Sequence, residues 1–219
     1  MDSSQLSPLA NAAAWGMKAG MKTYQDHYFK KAKQENYPAR SVYKLQELNN
    51  KFKLLRPGLK VLDLGAAPGS WSLFASQKIG ERGRLIAVDL QEIRQGFGPG
   101  AVTLCCDAFS DAPELLAALA DTGPLDLVMS DMAPATTGIK FADQARSAAL
   151  CERARDLAVL HLKPGGNFVA KIFEGAESKP FMDSLKPHCE TVRAFKPKSS
   201  RSESKETFIL GLGFRPPQE

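Results

Sequence analysis

The stretch KVLDLGAAPGSW, residues 60–71, decides the fold of this chain. Five β-prone residues, KVLDL, run into a turn of small residues, and a helical stretch follows from Ser70 to Ile79. Small residues let the backbone approach a ligand closely, and a strand that passes through such a turn into a helix is typical of a ligand-binding edge in a parallel α/β sheet. Gly65 and Gly69 lie four residues apart with a proline between them, which differs from the dinucleotide pattern GxGxxG, and no phosphate-loop Gly-Lys-Ser/Thr occurs. The turn therefore predicts a neutral nucleoside ligand in preference to a pyrophosphate.

The other strand candidates are short apolar runs, and helical stretches separate most of them. The runs are RLIAVDL (84–90), VTLCC (102–106), LDLVMSD (125–131), NFVAKIF (167–173), TVRAF (191–195) and TFILGLG (207–213), and the helical stretches are 70–79, 112–120, 142–161 and 179–188. Continuous apolar strands separated by helices predict a sheet that is covered on both faces. With KVLDL the runs number seven, so we predict an α/β, Rossmann-like fold with a mostly parallel seven-stranded sheet and helices on both faces.

Length and composition favour one folded domain. A chain of 219 residues that is 43% hydrophobic and 24% charged can bury a sizeable α/β core. We predict a flexible arm over residues 1–25 and a single domain over 26–219, in which a basic helical region (26–56) precedes the sheet (60–213). Apolar residues recur at helical intervals from Tyr28 to Phe52, and this helical region should stop at Pro57-Gly58.

The cysteine, histidine and hydropathy patterns argue against several classes of protein. The cysteines form no CxxC pair and the histidines fall at no metal-ligand spacing, so we expect reduced thiols and no metal site; these residues are Cys105, Cys106, Cys151, Cys189, His27, His161 and His188. No run of about 18 apolar residues could span a bilayer, and the start of the chain lacks a basic segment followed by an apolar one. We therefore expect a cytoplasmic protein with no membrane partner.

Positive charge is concentrated in two segments. Residues 1–60 hold 11 Lys and Arg against 4 Asp and Glu, whereas the remainder holds 18 against 20. A second basic run extends from Lys186 to Lys205. Two separated basic segments could flank one polyanion such as a nucleic acid. A solvated surface is the alternative interpretation of such charge.

Acidic residues end the second and third runs. Asp89 could accept hydrogen bonds from both hydroxyls of a ribose, and Asp107 could face an adenine amino group. Either acid could instead cap a helix or a turn. Their occurrence after successive strands, behind the turn at 65–69, favours a bound nucleoside.

A lysine inside an apolar run is the second chemical signal. Lys171 lies within NFVAKIF, where burial of an unpaired ammonium would be very costly. Asp131, directly after LDLVM and Ser130, is the partner we expect if the fourth and fifth strands are neighbours. A purely structural ion pair is the alternative. Lys44 and Glu206 are lone charges that composition alone does not single out.

Five motifs together resemble one known family. DLGAAPGSW, SDMAP, AKIFEG and SSRSESKETF, preceded by PARSVYKL, are similar to the RrmJ/FtsJ family of ribosomal RNA 2′-O-methyltransferases, and the resemblance runs from about Asp26 to Gly213. It implies the Rossmann-like fold of S-adenosylmethionine-dependent methyltransferases, with S-adenosyl-L-methionine as cofactor. It also implies a monomer that methylates a uridine of 23S ribosomal RNA within the large ribosomal subunit. Ser70 departs from the family, in which a second glycine commonly precedes the tryptophan.

The resemblance also assigns residues to roles. It places the catalytic group on Lys44, Asp131, Lys171 and Glu206, and the cofactor contacts on Gly65, Gly69, Trp71, Asp89, Asp107 and Asp131. Our hypothesis is that Lys171 acts as general base toward a ribose hydroxyl, with Asp131 orienting its amine and Glu206 fixing Lys44 and the ribose. The same four residues would serve transfer RNA or another RNA equally well. A non-catalytic RNA-binding module and a nicotinamide-dependent dehydrogenase are the rival classes, but the first leaves Lys171 unexplained and the second lacks its pyrophosphate fingerprint.

Overall fold

The computed structural model describes residues 27–201 and 204–216, and its centre is a seven-stranded sheet. The strands are β1 (Lys60–Leu64), β2 (Arg84–Asp89), β3 (Ala101–Cys105), β4 (Leu125–Ser130), β5 (Leu162–Phe173), β6 (Cys189–Phe195) and β7 (Glu206–Phe214). Their order is β3-β2-β1-β4-β5-β7-β6; the first five are parallel, and β7 is antiparallel to both of its neighbours. The predicted mostly parallel, seven-stranded α/β fold is confirmed, with β5 beginning at Leu162 instead of Asn167. The predicted arm over residues 1–25 lies outside the described residues.

Helices cover both faces of the sheet, as predicted. They are α1 (His27–Gln34), α2 (Val42–Phe52), α3 (Ser70–Ile79), α4 (Pro113–Thr122), α5 (Lys140–His161) and α6 (Ser178–Leu185), followed by a 3-10 turn at Lys186–His188. Alternate residues of a strand point to opposite faces, so Leu62 packs with α4, α5 and α6 while Val61 packs with α1, α2 and α3. In the part of the chain that the structure describes, no helix combines the length and apolarity needed to cross a membrane.

The predicted basic helical region consists of two helices, α1 and α2, with a break between them. Asn36 adopts a left-handed conformation with φ 59°, and Pro38 lacks the backbone N–H that a continuing helix needs. The second helix also ends before Pro57-Gly58, because Lys53 turns left-handed with φ 55° and donates its backbone N–H to the carbonyl of Asn49. The break lets α2 lie across the sheet independently of α1.

Strand register brings the chemically interesting residues to one edge. Ser130 of β4 pairs with Ala170 of β5, so the residues that follow them, 131 and 171, are side by side. Lys171 in turn pairs with Phe208 of β7, and Phe173 pairs with Glu206. The carboxyl ends of β4 and β5 therefore meet the beginning of β7.

Candidate active site

Lys171 is the buried centre of a charged cluster at this edge. Its side chain is only 5% exposed. The ammonium Nζ donates a hydrogen bond to the backbone carbonyl of Asp131 at 2.7 Å and lies 3.1 Å from Asp131 Oδ1 and 3.6 Å from Glu206 Oε1. Two carboxylates thus offset the desolvation of one buried ammonium. Oδ1 of Asp131 is itself buried, and the ammonium 3.1 Å away balances its charge.

Lys44 reaches the cluster from the other side of the sheet edge. Its Nζ donates to Glu206 Oε2 at 2.7 Å, and the hydroxyl of Ser204 donates to the same oxygen at 3.1 Å. Burial alone would raise the pKa of Glu206, but the positive charges of Lys44 and Lys171 and these hydrogen bonds hold it below its ordinary value. Glu206 is therefore a carboxylate at neutral pH.

The four side chains form a line of alternating charge: Lys44, Glu206, Lys171 and Asp131. Each ammonium faces at least one carboxylate, and the formal charge of the line is zero. The structure thus brings together the four residues that the family resemblance selects, although their catalytic roles remain a prediction.

The turn after β1 is shaped for close approach. Gly65 has φ +75°, and a Cβ there would come within 2.8 Å of the backbone of Met132, which follows Asp131. Gly69 has φ +110° and begins α3. The carboxylate of Asp89 accepts a hydrogen bond from the backbone N–H of Ala67 at 2.9 Å, so the end of β2 holds the turn in place. Glycine is required at both positions because a Cβ at Gly65 would collide with Met132 and a Cβ at Gly69 would come within 2.9 Å of Gln95.

Asp89 and Asp107 serve their own loops as well as facing the strand ends. Asp89 Oδ1 accepts from the backbone N–H of Gln91, and Asp107 Oδ1 accepts from that of Phe109, each at 2.9 Å. Each acid therefore caps a turn, as the alternative interpretation of the sequence proposed. A carboxylate has about four acceptor positions, so each keeps capacity for a ligand donor. Two acids that end or follow the neighbouring strands β2 and β3 and keep acceptor positions fit the hydroxyls and amino group of a nucleoside.

The side chain of Trp71 lies in the core and is not exposed beside the turn at residues 65–69. It is 2% exposed, its indole N–H donates to the carbonyl of Ser41 at 2.9 Å, and its ring stacks on Phe208 with centroids 5.6 Å apart. A contact between Trp71 and a cofactor would have to use its backbone N–H in the first turn of α3. The indole instead fixes the residue that precedes α2, and hence the helix that carries Lys44.

A basic cavity adjoins the cluster. Its volume is about 810 Å³, and it is lined by Arg40, Ser41, Lys44, Thr136, Gly138, Lys140, Asp143, Gln144, Phe173, Arg201, Ser204, Lys205 and Glu206. Arg40 and Lys44 come from the first predicted basic segment, and Arg201 and Lys205 come from the second. The two segments therefore flank one space, as the sequence suggested. Gly65, Gly69 and Asp89 are not among its lining residues, so the turn after β1 lies outside this cavity.

Sequence reasoning missed Lys140, Asp143 and Asp63. Lys140 and Asp143 lie in the loop and first helical turn after β4, outside any basic run, and only the neighbouring SDMAP motif could have drawn attention to them. Asp63 is fully buried in β1, where the hydroxyl of Ser72 donates to its Oδ2 at 2.6 Å. Burial, followed by the charge of Asp131, raises the pKa of Asp63 to about 7. Across residues 27–201 and 204–216, no three His, Cys, Asp or Glu side chains gather in a way that could hold a metal ion.

A parallel sheet with a glycine turn after its first strand, nucleoside-compatible acids and a buried lysine between carboxylates defines an α/β group-transfer enzyme of the nucleoside-binding class. The chain belongs to the FtsJ-like methyltransferase family, whose model matches residues 37–214. It is a methyltransferase.

Its relatives and structural neighbours agree with this assignment. The chain is 55% identical over 195 residues to ribosomal RNA large subunit methyltransferase E of Oleidesulfovibrio alaskensis, covering 89% of this chain and 94% of the relative. It is 49% identical to the protein of the same name from Syntrophobacter fumaroxidans, covering 88% and 98% respectively. The crystal structure of a ribosomal RNA methyltransferase from Plasmodium falciparum superposes with a TM-score of 0.69 at 26% identity, covering 81% of this chain and 98% of that one.

Proposed function

We propose that this chain transfers the methyl group of S-adenosylmethionine to a ribose 2′-hydroxyl of ribosomal RNA, at a uridine of the 23S RNA in the large ribosomal subunit. The names of its relatives support the RNA, and the buried Lys171 between Asp131 and Glu206 supports the chemistry. In this proposal residues 26–219 act as one methyltransferase domain, as a monomer in the cytoplasm.

The turn and the strand-end acids are the residues that would hold the donor. Gly65 and Gly69 give the turn its positive-φ conformation, while Asp89 and Asp107 keep acceptor positions for ribose hydroxyls and an amino group. Asp131 closes the same edge beside Met132. When bound, S-adenosylmethionine would supply an electrophilic methyl group that needs no further activation.

Lys171 is the residue that we assign as general base. A ribose hydroxyl is a weak acid, so a base must accept its proton as the new bond forms. The amine of Lys171 in its neutral form would accept that proton, and the resulting ammonium would lie where the structure places it, between the carboxylates of Asp131 and Glu206. The two acids therefore stabilise the protonated product of the step.

Lys44 would position the acceptor, and Asp131 would position the base. Lys44 is held by Glu206 and lines the basic cavity, where its ammonium can donate to a ribose oxygen. Asp131 would act through Lys171, because its buried Oδ1 lies 3.1 Å from that ammonium and so orients the amine. Fixing the hydroxyl in line with a methyl group replaces a bimolecular encounter by an oriented one, which is among the larger contributions to such reactions.

The cavity suits RNA because it offers positive charge beside the reacting edge. Arg40, Lys140, Arg201 and Lys205 line it together with Lys44. These cations can neutralise phosphates on either side of the target nucleotide. DNA would bind by the same charges but lacks the 2′-hydroxyl, so it cannot be an acceptor.

The test is Lys171→Ala compared with Lys140→Ala, which removes a cavity lysine outside the charged cluster. We expect Lys171→Ala to lower the turnover number by about 100-fold or more, the usual contribution of a general base. Binding of S-adenosylmethionine, measured by calorimetry, should survive in both variants, and circular dichroism should show that both are folded. Normal turnover in Lys171→Ala would remove this residue from the reaction.

The substrate is tested separately by mapping ribose methylation on ribosomal RNA from cells with and without this protein. Loss of a single 2′-O-methyl mark from 23S RNA is the expected result. An unchanged 23S RNA together with a lost mark on transfer RNA would preserve the chemistry and overturn the proposed acceptor.

A further inference from the structure

Two apolar side chains stand exposed at the rim of the basic cavity. Ile139 is 64% exposed and Phe141 is 76% exposed. They alternate along the chain with Gly138 and Lys140, which line the cavity. Single exposed apolar residues are common on protein surfaces and need no explanation. An exposed aromatic ring next to a lysine of the cavity wall is different, because in the proposed function the acceptor RNA enters that cavity.

The segment that carries Phe141 is firmly held. The carboxylate of Asp143 accepts hydrogen bonds from the backbone N–H and the hydroxyl of Thr137, both at 2.8 Å, and from the N–H of Gly138 at 3.1 Å. These bonds, the one from the Thr137 backbone foremost, lower the pKa of Asp143, so it remains a carboxylate at neutral pH. Gln144 donates to the carbonyl of Glu174 at 2.5 Å and so ties the start of α5 to the end of β5. A ring on a fixed support loses little freedom when it binds a partner.

Charge around the ring identifies the chemistry of that partner. Lys140 precedes Phe141, and Arg146 lies on the next turn of α5, where its guanidinium donates to the carbonyl of Ala135. Arg40 and Arg201 line the same cavity. Cations that hold phosphates, interleaved with an exposed aromatic ring, are the arrangement by which proteins bind single-stranded RNA and stack its bases.

We infer that Phe141 is a stacking platform for a nucleobase of the acceptor RNA next to the methylated nucleotide, with Ile139 packing against the edge of that base. The inference rests on the proposed function, since it assumes that RNA enters the basic cavity. It adds a contact that recognises an unpaired, splayed-out base, whereas the cations recognise only the charge of the RNA. Lys140, between the two apolar residues, would hold the adjoining phosphate.

Kinetics provide the first test, with large ribosomal subunits from cells lacking this protein as substrate. Phe141→Ala should raise the Michaelis constant for the subunits by roughly tenfold, since removing one base-stacking ring costs about that factor in affinity. Phe141→Trp should restore it, because an indole also stacks, while Phe141→Leu should not. Leu160→Ala is the matched control: Leu160 is 72% exposed on the same helix, about 28 Å away at 1.5 Å per residue.

Fluorescence quenching provides a second test, which distinguishes base stacking from binding by charge alone. The emission that Phe141→Trp adds to that of the native Trp15 and Trp71, taken as the difference from the parent, should be quenched when a single-stranded oligoribonucleotide binds, whereas that added by Leu160→Trp should not. Heparin carries negative charge without bases, so it should occupy the cavity without quenching either variant.

The outcomes separate this inference from the proposed function. If the parent protein methylates large subunits and Phe141→Ala does so with an unchanged Michaelis constant, the stacking platform is overturned while the proposed function stands. A kinetic effect with intact subunits but no quenching by protein-free RNA would show that Phe141 contacts a ribosomal protein, which also overturns it. Absence of methyl transfer by the parent would contradict the proposed function itself, whatever Phe141 binds.

Discussion

Asp63 is an ionisable residue in a position without solvent contact, and its pKa is raised. It is fully buried, Ser72 bonds only its Oδ2, and its Oδ1 accepts no hydrogen bond from a described residue. An ionised carboxylate is disfavoured there, which is why its pKa rises to about 7. Between about pH 4 and pH 7 the folded chain therefore binds a proton that the unfolded chain has lost, and stability must fall as the pH rises through this window.

Asp63→Asn should remove this dependence, because the amide is similar in shape, can still accept from Ser72 and does not titrate. The rise of the pKa from 3.8 to about 7, at 1.36 kcal/mol per pKa unit, is on the order of 4 kcal/mol. We expect the free energy of unfolding of the variant, relative to the parent, to improve by up to that amount between pH 4 and pH 8. Urea titrations at the two pH values measure it, and Asp121→Asn at an exposed site controls for the loss of a negative charge. An equal difference at both pH values would contradict the assignment.

The residues of the charged cluster differ in how far the sequence alone could reveal them. Lys171 and Asp131 follow from local pattern, since a lysine inside an apolar strand needs a partner and the neighbouring strand ends in an acid. Lys44 and Glu206 form an ion pair across 162 residues of sequence, and each resembles an ordinary surface charge. Only the family resemblance selected them, because pattern reasoning has no access to contacts so distant along the chain.

At the scale of elements, α2 and the connection between β6 and β7 form one unit. Glu47 of α2 accepts hydrogen bonds from the backbone N–H groups of Lys198 and Ser199 at 2.7 and 2.8 Å, and Arg40 donates to the carbonyl of Ser199. This connection carries Arg201 into the wall of the basic cavity. The predicted basic helical region consists of two helices, because helical periodicity continues through residues 28–52 while Asn36 and Pro38 break the backbone.

Glu47→Gln should loosen that connection, because an amide group presents N–H donors toward one of the two backbone N–H groups. A hydrogen bond to a charged acceptor contributes about 1.5–3 kcal/mol, so we expect the Michaelis constant for ribosomal subunits to rise by roughly tenfold. Binding of S-adenosylmethionine should be unchanged, since the turn at 65–69 is not involved. Glu152→Gln, at an exposed position of α5, is the control. Equal Michaelis constants for the two variants would show that Glu47 does not position the connection.

At the scale of the molecule, positive charge is arranged around one opening. The chain has a net charge of +5, and Arg40, Lys140, Arg201 and Lys205 converge on the basic cavity from three separate segments. The sequence indicated two of these segments from their charge. It could not indicate the third, because Lys140 has no basic neighbours in the sequence and meets the other cations only where the start of α5 lines the same cavity as the β6–β7 connection.

RNA binding should depend on salt in proportion to these contacts. If four cations each neutralise one phosphate, the logarithm of the association constant should fall with the logarithm of salt concentration with a slope of about −3, at about −0.7 per phosphate for single strands. Fluorescence anisotropy with a labelled oligoribonucleotide at several salt concentrations measures the slope. Lys140→Gln should make it shallower by about 0.7, and an unchanged slope would exclude Lys140 from phosphate binding.

The position of β7 within the sheet determines when the enzyme becomes active during its synthesis. This strand is the last along the described chain, yet it lies between β5 and β6 and brings Glu206 to Lys171. In a nascent chain that ends after β6, one edge of β5 has no paired strand. Lys171 then has Asp131 as an acidic neighbour but not Glu206. Activity should therefore begin only after β7 has been synthesised, and a premature stop just before Glu206 should yield an aggregation-prone, inactive fragment rather than a weakened enzyme.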